Sequence, residues 1–200
     1  MTAPPPPGIV KRTAFELVLD ERKILTRIGH KGPARSVRPS LALAVREERE
    51  RAFRLVEPAA IWRVLEAGET NGHPVFAGAT RVAFAVCTIG PRLEEAVAGL
   101  IGTDVLRGLI LDALGSQAVS EISREIVRDM EGRARAMGLT PSRRFAPGYR
   151  SWPVEAQAFL FKCLPGDLIG VRLTDSYMMV PRKSYSFRVN FFPPSGPGPD

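Results

Sequence analysis

The chain has 200 residues, 44% of them hydrophobic and 24% charged, and its 28 basic and 21 acidic side chains give a formal net charge of +7 at pH 7. This length suits one domain or at most two small ones, and the composition excludes a wholly disordered, collagen-like or coiled-coil chain. The longest uncharged stretches, such as residues 71–80 and 82–91, are much shorter than the ~20 apolar residues of a membrane span. The N-terminus lacks a secretory signal pattern, so we expect a cytoplasmic protein with no membrane partner.

The basic residues, nearly all of them arginine, are spread along the chain instead of clustering. The densest run, residues 46–54, alternates Arg with Glu, which is typical of an ion-paired helix surface and argues against nucleic-acid binding. Cys87 and Cys163 have no Cys or His at metal-ligand spacing, and both stand in apolar runs, as buried free thiols do. The sequence contains no glycine-rich nucleotide loop and no Gly-x-Ser-x-Gly motif, so the common nucleotide-binding and hydrolase functions lose their main support.

Proline and glycine concentrate at both ends of the sequence. We therefore expect residues 1–12 and 193–200 to be tails and residues 13–192 to form a single domain. Between the tails, predicted strands and helices follow one another without a regular β-α-β rhythm. This mixture favours an α+β fold, a single domain with an antiparallel or mixed β-sheet flanked by helices.

Hydrophobic periodicity and turn residues define the individual elements. Asp20 is a predicted N-cap and Gly29 a predicted C-cap of the first helix. Gly115 interrupts the longest helical pattern, which indicates either a close packing contact or a small kink. In chain order we predict a strand at 14–19, helices at 21–28 and 40–56, strands at 61–65 and 82–88, helices at 92–100, 103–137 and 153–164, and strands at 169–173 and 184–192.

Two segments of the C-terminal third carry the most specific pattern. The first is Arg144-Phe-Ala-Pro-Gly148-Tyr149, and the second runs from Leu173-Thr-Asp-Ser-Tyr-Met-Met through Pro181 to Ser184-Tyr-Ser186. Together they make the chain resemble the activation (reactivation) domain of vitamin B12-dependent methionine synthase, and more closely the small free-standing relatives of that domain. The resemblance covers residues 20–192 and is strongest from residue 112 onward. The turn at 88–90 and the helix start at 112–121 also resemble the free-standing relatives.

The resemblance implies a protein that binds S-adenosylmethionine next to a corrinoid. In that family the domain docks over a cobalamin-carrying domain, and an electron with the methyl group of S-adenosylmethionine restores methylcobalamin. The family's cofactor residues correspond by match to Arg144, Ala146, Gly148 and Tyr149. The family also uses a Glu on the preceding helix, which a gapless alignment puts at Glu121, with Glu125 one turn further on.

The residue types suit such a ligand. A guanidinium such as that of Arg144 can pair a carboxylate through two hydrogen bonds, and a carboxylate such as Glu121 or Asp175 can meet an ammonium or sulfonium charge. Asp175 stands where the family more often has Glu. The alternative is an ordinary Pro-Gly-Tyr turn with no ligand. In the same view, 174–176 form a hydrogen-bonded turn, and Ser184 and Ser186 take the solvent side of a strand.

Two functional hypotheses follow from the resemblance. The first is a reactivation module that binds S-adenosylmethionine and supports reductive remethylation of the cobalamin of a separate methionine synthase or corrinoid methyltransferase. Its partners would be a corrinoid protein, or a synthase core lacking its activation domain, and a flavodoxin- or ferredoxin-like electron donor. The alternative is a non-catalytic docking subunit of a split methionine synthase that does not use S-adenosylmethionine. The family domain continues past the second motif to a Tyr of the cofactor site that has no counterpart here, which favours the alternative.

Overall fold

The computed structural model describes residues 6–32 and 36–194, and in these ranges strands and helices form an α+β fold. The strands are β1 (Ile9–Arg12), β2 (Ala59–Glu66), β3 (Arg81–Thr88), β4 (Thr140–Pro141), β5 (Arg172–Leu173), β6 (Met179–Val180) and β7 (Ser184–Phe192), and the helices are α1 (Glu21–Arg27), α2 (Pro39–Leu55), α3 (Arg92–Leu100), α4 (Val105–Ala136) and α5 (Ala156–Cys163).

Five of these strands form one sheet in the order β1-β2-β3-β7-β4, and every neighbouring pair is antiparallel. Strands β5 and β6 form a separate two-stranded hairpin. The last strand, β7, lies inside the sheet, between β3 and the short edge strand β4. The prediction of a single α+β domain is confirmed, and of the two sheet types expected the structure has the antiparallel one.

Helices cover the sheet on two faces, and β7 contributes to both. Because side chains alternate along a strand, Phe187, Val189 and Phe191 point toward the larger core beneath α1, α2 and α4. Arg188 and Asn190 point to the other face, where α5 and the 144–152 segment form a smaller cluster. The polar residues of β7 are therefore covered by protein.

Helix α4 is continuous over 32 residues and forms the main cover of the sheet. At Gly115 a Cβ atom would lie 2.6 Å from Cδ2 of Leu93 in α3 and 3.3 Å from Cδ1 of Ile89. Of the two readings open from the sequence, close packing and not a kink explains this glycine. None of the helices in the described ranges combines the length and the apolar character needed to cross a membrane.

The prediction of a strand at 14–19 is wrong. Those residues belong to no strand and pair with none of the strands among the described residues. They alternate because Phe15, Leu17 and Leu19 pack against the helical core while Val18 is exposed. The first strand is instead β1, which pairs with the edge of β2 through Ile9↔Arg63 and the next three pairs. The sheet thus begins inside residues 1–12, which we expected to be a tail. Most of the other expected tail, residues 195–200, lies outside the described residues, as do residues 1–5.

Three smaller differences have local causes. The strand expected at 169–173 shortens to β5, because Gly166–Ile169 form a 3₁₀ turn whose Gly166 lies against the backbone of Val171. Helix α5 begins three residues later than expected, after a turn in which the amide of Ala156 donates to the carbonyl of Pro153 at 3.1 Å. The two-residue strand β4 was not predicted. The other predicted helices and strands are confirmed, to within two residues at most of their ends.

Candidate functional site

The 144–149 loop lies along the outer edge of β7 and is held there by backbone hydrogen bonds. The amide of Phe145 donates to the carbonyl of Arg188 at 3.0 Å, and the amide of Arg188 donates to the carbonyl of Phe145 at 2.8 Å. Just before this pair, the amide of Ser142 donates to the carbonyl of Asn190 at 2.8 Å. Because the loop is strand-like here, Arg144 and Phe145 point to opposite faces of the sheet.

Arg144 points toward the helical face, and its guanidinium is fixed without an ion pair. Its Nη1 donates to Oγ of Ser123 on α4 at 2.5 Å, and its guanidinium carbon lies 5.4 Å from the centre of the Tyr185 ring. Among the described residues no carboxylate pairs with it. Arginine carries five N–H donors, so a fixed guanidinium with one bond of this kind can still accept a carboxylate in bidentate geometry.

Two titratable side chains near Arg144, those of Cys87 and Tyr185, have pKa values that burial raises. Burial raises the pKa of the Cys87 thiol to about 12. Burial also raises the pKa of the Tyr185 phenol. The positive charge of Arg144 opposes both shifts. At neutral pH both groups are therefore protonated, and Arg144 is the charged group of the three.

The rest of the loop is a tight turn with an aromatic side chain on its outside. The amide of Tyr149 donates to the carbonyl of Ala146 at 3.3 Å, and the amide of Gly148 donates to the carbonyl of Trp152 at 2.8 Å. Gly148 has φ +87°, and the nearest atom to a Cβ there would be 3.9 Å away. The turn thus requires glycine for its backbone conformation and not for space. Ala146 is buried, whereas Tyr149 is 65% exposed.

Glu121 and Ser123, the residue that Arg144 contacts, lie on different faces of α4. Residues two positions apart on a helix point about 200° apart, so Glu121 and Ser123 face different directions. Glu121 instead forms an ion pair with Arg124 and lies 3.9 Å from Nζ of Lys23. It lines a cavity of about 610 Å³ together with Glu125. No hydrogen bond or ion pair links it to the 144–149 loop within the described residues.

Glu125, the other carboxylate that the helix alignment suggested, is neutralised inside the protein. Its carboxylate pairs with Arg12 at the end of β1, and Arg12 also contacts Asp129 at 3.1 Å. The Glu125 side chain is only 12% exposed. This cluster joins β1 to α4, and such a contact needs no ligand to explain it.

Asp175 lies in the connection of the β5–β6 hairpin, exposed to solvent. The connection is organised by Thr174, whose amide donates to the carbonyl of Met178 at 2.9 Å and whose Oγ1 accepts from the amide of Met178 at 3.1 Å. Gln157 on α5 donates to the carbonyl of Tyr177 at 2.9 Å and ties the hairpin to the sheet. Asp175 makes no ion pair or hydrogen bond with the 144–149 loop among the described residues.

The serines of the second motif have structural roles. Oγ of Ser184 donates to Oγ1 of Thr88 at 2.9 Å, and Oγ1 of Thr88 also accepts from the amide of Gly90 at 3.1 Å. Oγ of Ser186 donates to Oε1 of Gln157 at 2.9 Å. Both serines are buried, so the expectation of a solvent-facing position was wrong. The second motif and the 88–90 turn therefore fasten the end of β3 to the start of β7.

Sequence reasoning did not assign Lys183 and Tyr185 to the site. Tyr185 lies beside Arg144, whereas Lys183 contacts α4 about two turns nearer to its N-terminus. Nζ of Lys183 lies 2.7 Å from Oδ1 of Asp112 and donates to Oγ of Ser116 at 2.8 Å. A pattern in α4 could have indicated that polar groups meet this helix. Polar residues recur there at helical spacing within a largely buried segment. They are Asp112, Ser116, Ser120 and Ser123.

The chain is an α+β protein with an antiparallel sheet that has β7 inside it, a long helix across one face and an edge loop beside that helix. No protein-family model and no curated protein matches the chain. A solved structure that does match is the crystal structure of the MetH reactivation domain bound to AdoHcy, with a TM-score of 0.65 and 14% sequence identity. The match covers 94% of this chain and 79% of that one. At this identity the likeness shows that the two share a fold.

Proposed function

We propose that the protein binds S-adenosylmethionine through the 144–149 loop and serves as a reactivation module for the cobalamin of a separate methionine synthase or corrinoid methyltransferase. The observation that carries the proposal is the fixed guanidinium of Arg144, which has no acidic partner among the described residues. The similar fold of a domain bound to AdoHcy supports the same ligand class. AdoHcy is what remains of S-adenosylmethionine after its methyl group has been transferred.

Each residue of the loop has a part in the proposed binding. Arg144 pairs the α-carboxylate of the ligand through its remaining N–H donors. Gly148 keeps the surface of the turn free of side-chain atoms, and buried Ala146 forms its base. Tyr149 offers an exposed aromatic face to the adenine ring. S-adenosylmethionine, when bound, supplies the methyl group, so the task of the protein is to position it and not to move protons.

Two carboxylates belong to the proposal as partners of the ligand's ammonium or sulfonium charge. Glu121 already pairs with Arg124, and Lys23 lies nearby. Asp175 has no ion pair within the described residues and is therefore the freer of the two. A ligand that contacts Arg144 and Asp175 together would have to bridge from the loop to the β5–β6 hairpin.

The proposed partners are macromolecules. The cobalamin would be carried by a corrinoid protein or by a synthase core without an activation domain of its own. The electron would come from a flavodoxin- or ferredoxin-like protein. Such donors are often acidic, and the net charge of +7 favours their encounter with this chain. The proposal places all these components in the cytoplasm.

The test is a calorimetric titration of the purified protein with S-adenosylmethionine and with AdoHcy. We expect saturable binding that Arg144→Ala weakens about tenfold or more, the usual cost of a lost charge-assisted hydrogen bond. Arg143→Ala is the matched control, since Arg143 is the exposed neighbour on the same loop, and its affinity should equal that of the wild type. Equal binding by Arg144→Ala and the wild type would contradict the proposal.

A docking subunit that does not use S-adenosylmethionine is the second candidate function. Exposed apolar side chains at the junction of α3 and α4, namely Ile101, Val105 and Leu109, favour contact with another protein. This candidate predicts that the folded protein takes up no S-adenosylmethionine, with or without a cobalamin-loaded synthase core in the cell of the calorimeter. It also predicts that the synthase core binds the protein.

A further inference from the structure

The face of β7 opposite Arg144 contains a buried arginine inside an aromatic enclosure. Arg188 lies in the middle of β7 and is 5% exposed. Its guanidinium carbon lies 5.0 Å from the ring centre of Phe145, 5.4 Å from that of Trp152 and 5.6 Å from that of Phe76. The rings come from two separate segments, one containing Phe76 and the other residues 144–152, that meet over this side chain.

Arg188 has no counter-charge among the described residues. No carboxylate pairs with it, its guanidinium makes no hydrogen bond, and its Nε is completely buried. Burial lowers the pKa of Arg188 to about 10, so it remains a cation at neutral pH. Cation–π contacts offset only part of the cost of burying such a charge. An anion beside the guanidinium would remove the rest of this cost.

A second polar group on the same face also lacks a partner. Asn190 is 3% exposed. Its Nδ2 donates to the carbonyl of Val75 at 2.8 Å, which fixes the orientation of the amide. Its Oδ1 is then directed elsewhere, buried and without a hydrogen bond. A hydrogen-bond donor from outside the chain would satisfy this oxygen.

Arg188 and Asn190 line one cavity. It has a volume of about 290 Å³ and opens beside Tyr149 and Arg150 of the turn that follows Gly148. Arg150 adds a second positive charge, and none of the residues that line the cavity is acidic. Protein cavities that bind small molecules usually have volumes of about 300–1,000 Å³, so this one suits a ligand of few atoms.

We propose that this cavity binds a small 2-hydroxycarboxylate, with the carboxylate on Arg188 and the hydroxyl group donating to Oδ1 of Asn190. The rings of Phe145 and Trp152 contact its carbon skeleton. A 2-amino acid would bring an ammonium group next to Arg188 and Arg150 with no acidic residue to receive it, so the site selects a ligand with net negative charge. The same argument excludes S-adenosylmethionine, whose sulfonium adds a further positive charge.

This site is separate from the one proposed for S-adenosylmethionine. Arg144 and Phe145 are consecutive, but they point to opposite faces of the sheet, and the larger core lies on the Arg144 side only. Only the Tyr149 turn borders both. The inference therefore stands whether or not the reactivation function does.

The test uses lactate as the probe, with the wild-type protein in low-chloride buffer, calorimetry for affinity and tryptophan fluorescence for location. Acetate lacks the hydroxyl group, alanine carries an ammonium group, and methyl lactate carries no charge. We expect saturable lactate binding with a change in tryptophan emission that persists in Trp62→Phe, where Trp152 is the one remaining tryptophan. Acetate should bind at least tenfold more weakly, and alanine and methyl lactate should not bind. Inorganic phosphate that binds as tightly as lactate would overturn the assignment to hydroxycarboxylates.

Variants distinguish lactate binding at Arg188 from binding at the proposed S-adenosylmethionine site, and a lost site from an unfolded protein. Arg188→Met keeps an unbranched side chain among the rings, and an apolar replacement of an unpaired buried charge preserves or raises stability. It should bind no lactate yet melt no lower than the wild type. Asn190→Ala should bind lactate and acetate equally. Arg144→Ala should bind lactate as the wild type does. Lactate binding that survives in Arg188→Met, or that is absent in the folded wild type, would overturn the proposal.

Discussion

Cys87 and Arg144 illustrate how a single charge and a single buried thiol interact beneath the 144–149 loop. Cys87 is completely buried on β3, between Val86 and Thr88 of the same strand, and its side chain belongs to the core under α4. Burial raises the pKa of its thiol, and the nearby Arg144 charge only partly opposes that rise. The consequence is a dependence of stability on alkaline pH.

We predict that the folded protein loses stability above pH 9 and that Cys87→Ala reduces this loss. The unfolded chain releases the thiol proton near the ordinary pKa of 9.0, whereas the folded protein retains it up to about 12. The unfolded state thus binds fewer protons in this window, so the free energy of unfolding is at its full value below pH 9 and falls as the pH rises. Tyr185 acts in the same direction at higher pH.

The measurement is chemical denaturation at a series of pH values from 7 to 11. Cys163→Ala is the control, because Cys163 is only partly buried and its shift is smaller. The curve for Cys87→Ala should fall less steeply above pH 9 than those of the wild type and the control. Parallel curves for all three proteins would show that the thiol proton plays no part.

At the residue scale, the sequence predicts a turn better than it predicts a buried charge. Pro147 and Gly148 predict the turn from local backbone chemistry, and the structure confirms it. The burial of Arg188 could not be predicted in this way. Alternation along a strand shows which residues share a face, but it does not show whether other segments cover the polar face. That layer is formed by Phe76 and by Phe145 and Trp152 of the 144–152 segment, all of them far from Arg188 in the sequence.

Among the secondary-structure elements, α4 offers a matched pair of glycines. At Gly115 a Cβ would lie 2.6 Å from the fully buried side chain of Leu93, whereas at Gly132 nothing lies within 4 Å. Replacing glycine by alanine in a helix gains about 1 kcal/mol in propensity. Overpacking a core costs roughly 1–3 kcal/mol. The two effects compete at Gly115, and only the first acts at Gly132.

We predict that Gly115→Ala destabilises the protein by about 1 kcal/mol net, because the fully buried Leu93 side chain would have to shift within the core. Gly132→Ala should stabilise it by up to about 1 kcal/mol. Urea denaturation of both variants and the wild type gives the free energies of unfolding. The packing argument fails if Gly115→Ala is as stable as Gly132→Ala.

Elements were predictable where a pattern persisted over many residues. The apolar spacing of α4 continues for 32 residues, and alternation with β-branched and aromatic residues identified β3 and β7. The strand β1 was missed because its four residues are ordered by pairing with β2 and not by a pattern of their own. The alternation at 14–19 was misleading because packing against helices produces the same spacing as pairing in a sheet.

For the molecule as a whole, the resemblance combined two motifs of different kinds. The 144–149 loop presents the exposed ring of Tyr149 and a guanidinium, that of Arg144, with no ion pair among the described residues. The second motif instead joins β3 to β7 through Ser184, Thr88 and Ser186. Sequence similarity could not separate the two, since a buried hydrogen bond and a ligand contact both require particular residues. The structure shows the buried hydrogen bonds of the second motif, whereas the binding role of the 144–149 loop is our proposal.

The position of β7 predicts the effect of truncation. Strand β3 pairs with β7 over eight positions, from Arg81↔Phe191 to Thr88↔Ser184, and residues 82–90 are buried. A chain that ends at Lys183 should therefore be insoluble or unfolded, because β3 loses its neighbour and exposes an apolar edge. A chain that ends at Pro194 should fold. Circular dichroism and the soluble fraction distinguish the two, and a folded chain ending at Lys183 would contradict the prediction.

The same topology sets the order of events on the ribosome. Strand β3 emerges with Thr88, yet its partner starts only at Ser184, and synthesis at about 5–20 residues per second leaves it waiting for roughly 5–20 seconds. Helices α3, α4 and α5 emerge in that interval and can cover its two faces, but none of them pairs with its open edge. The edge of β3 that pairs with β7 therefore stays open, and prone to aggregation, until β7 has been synthesised.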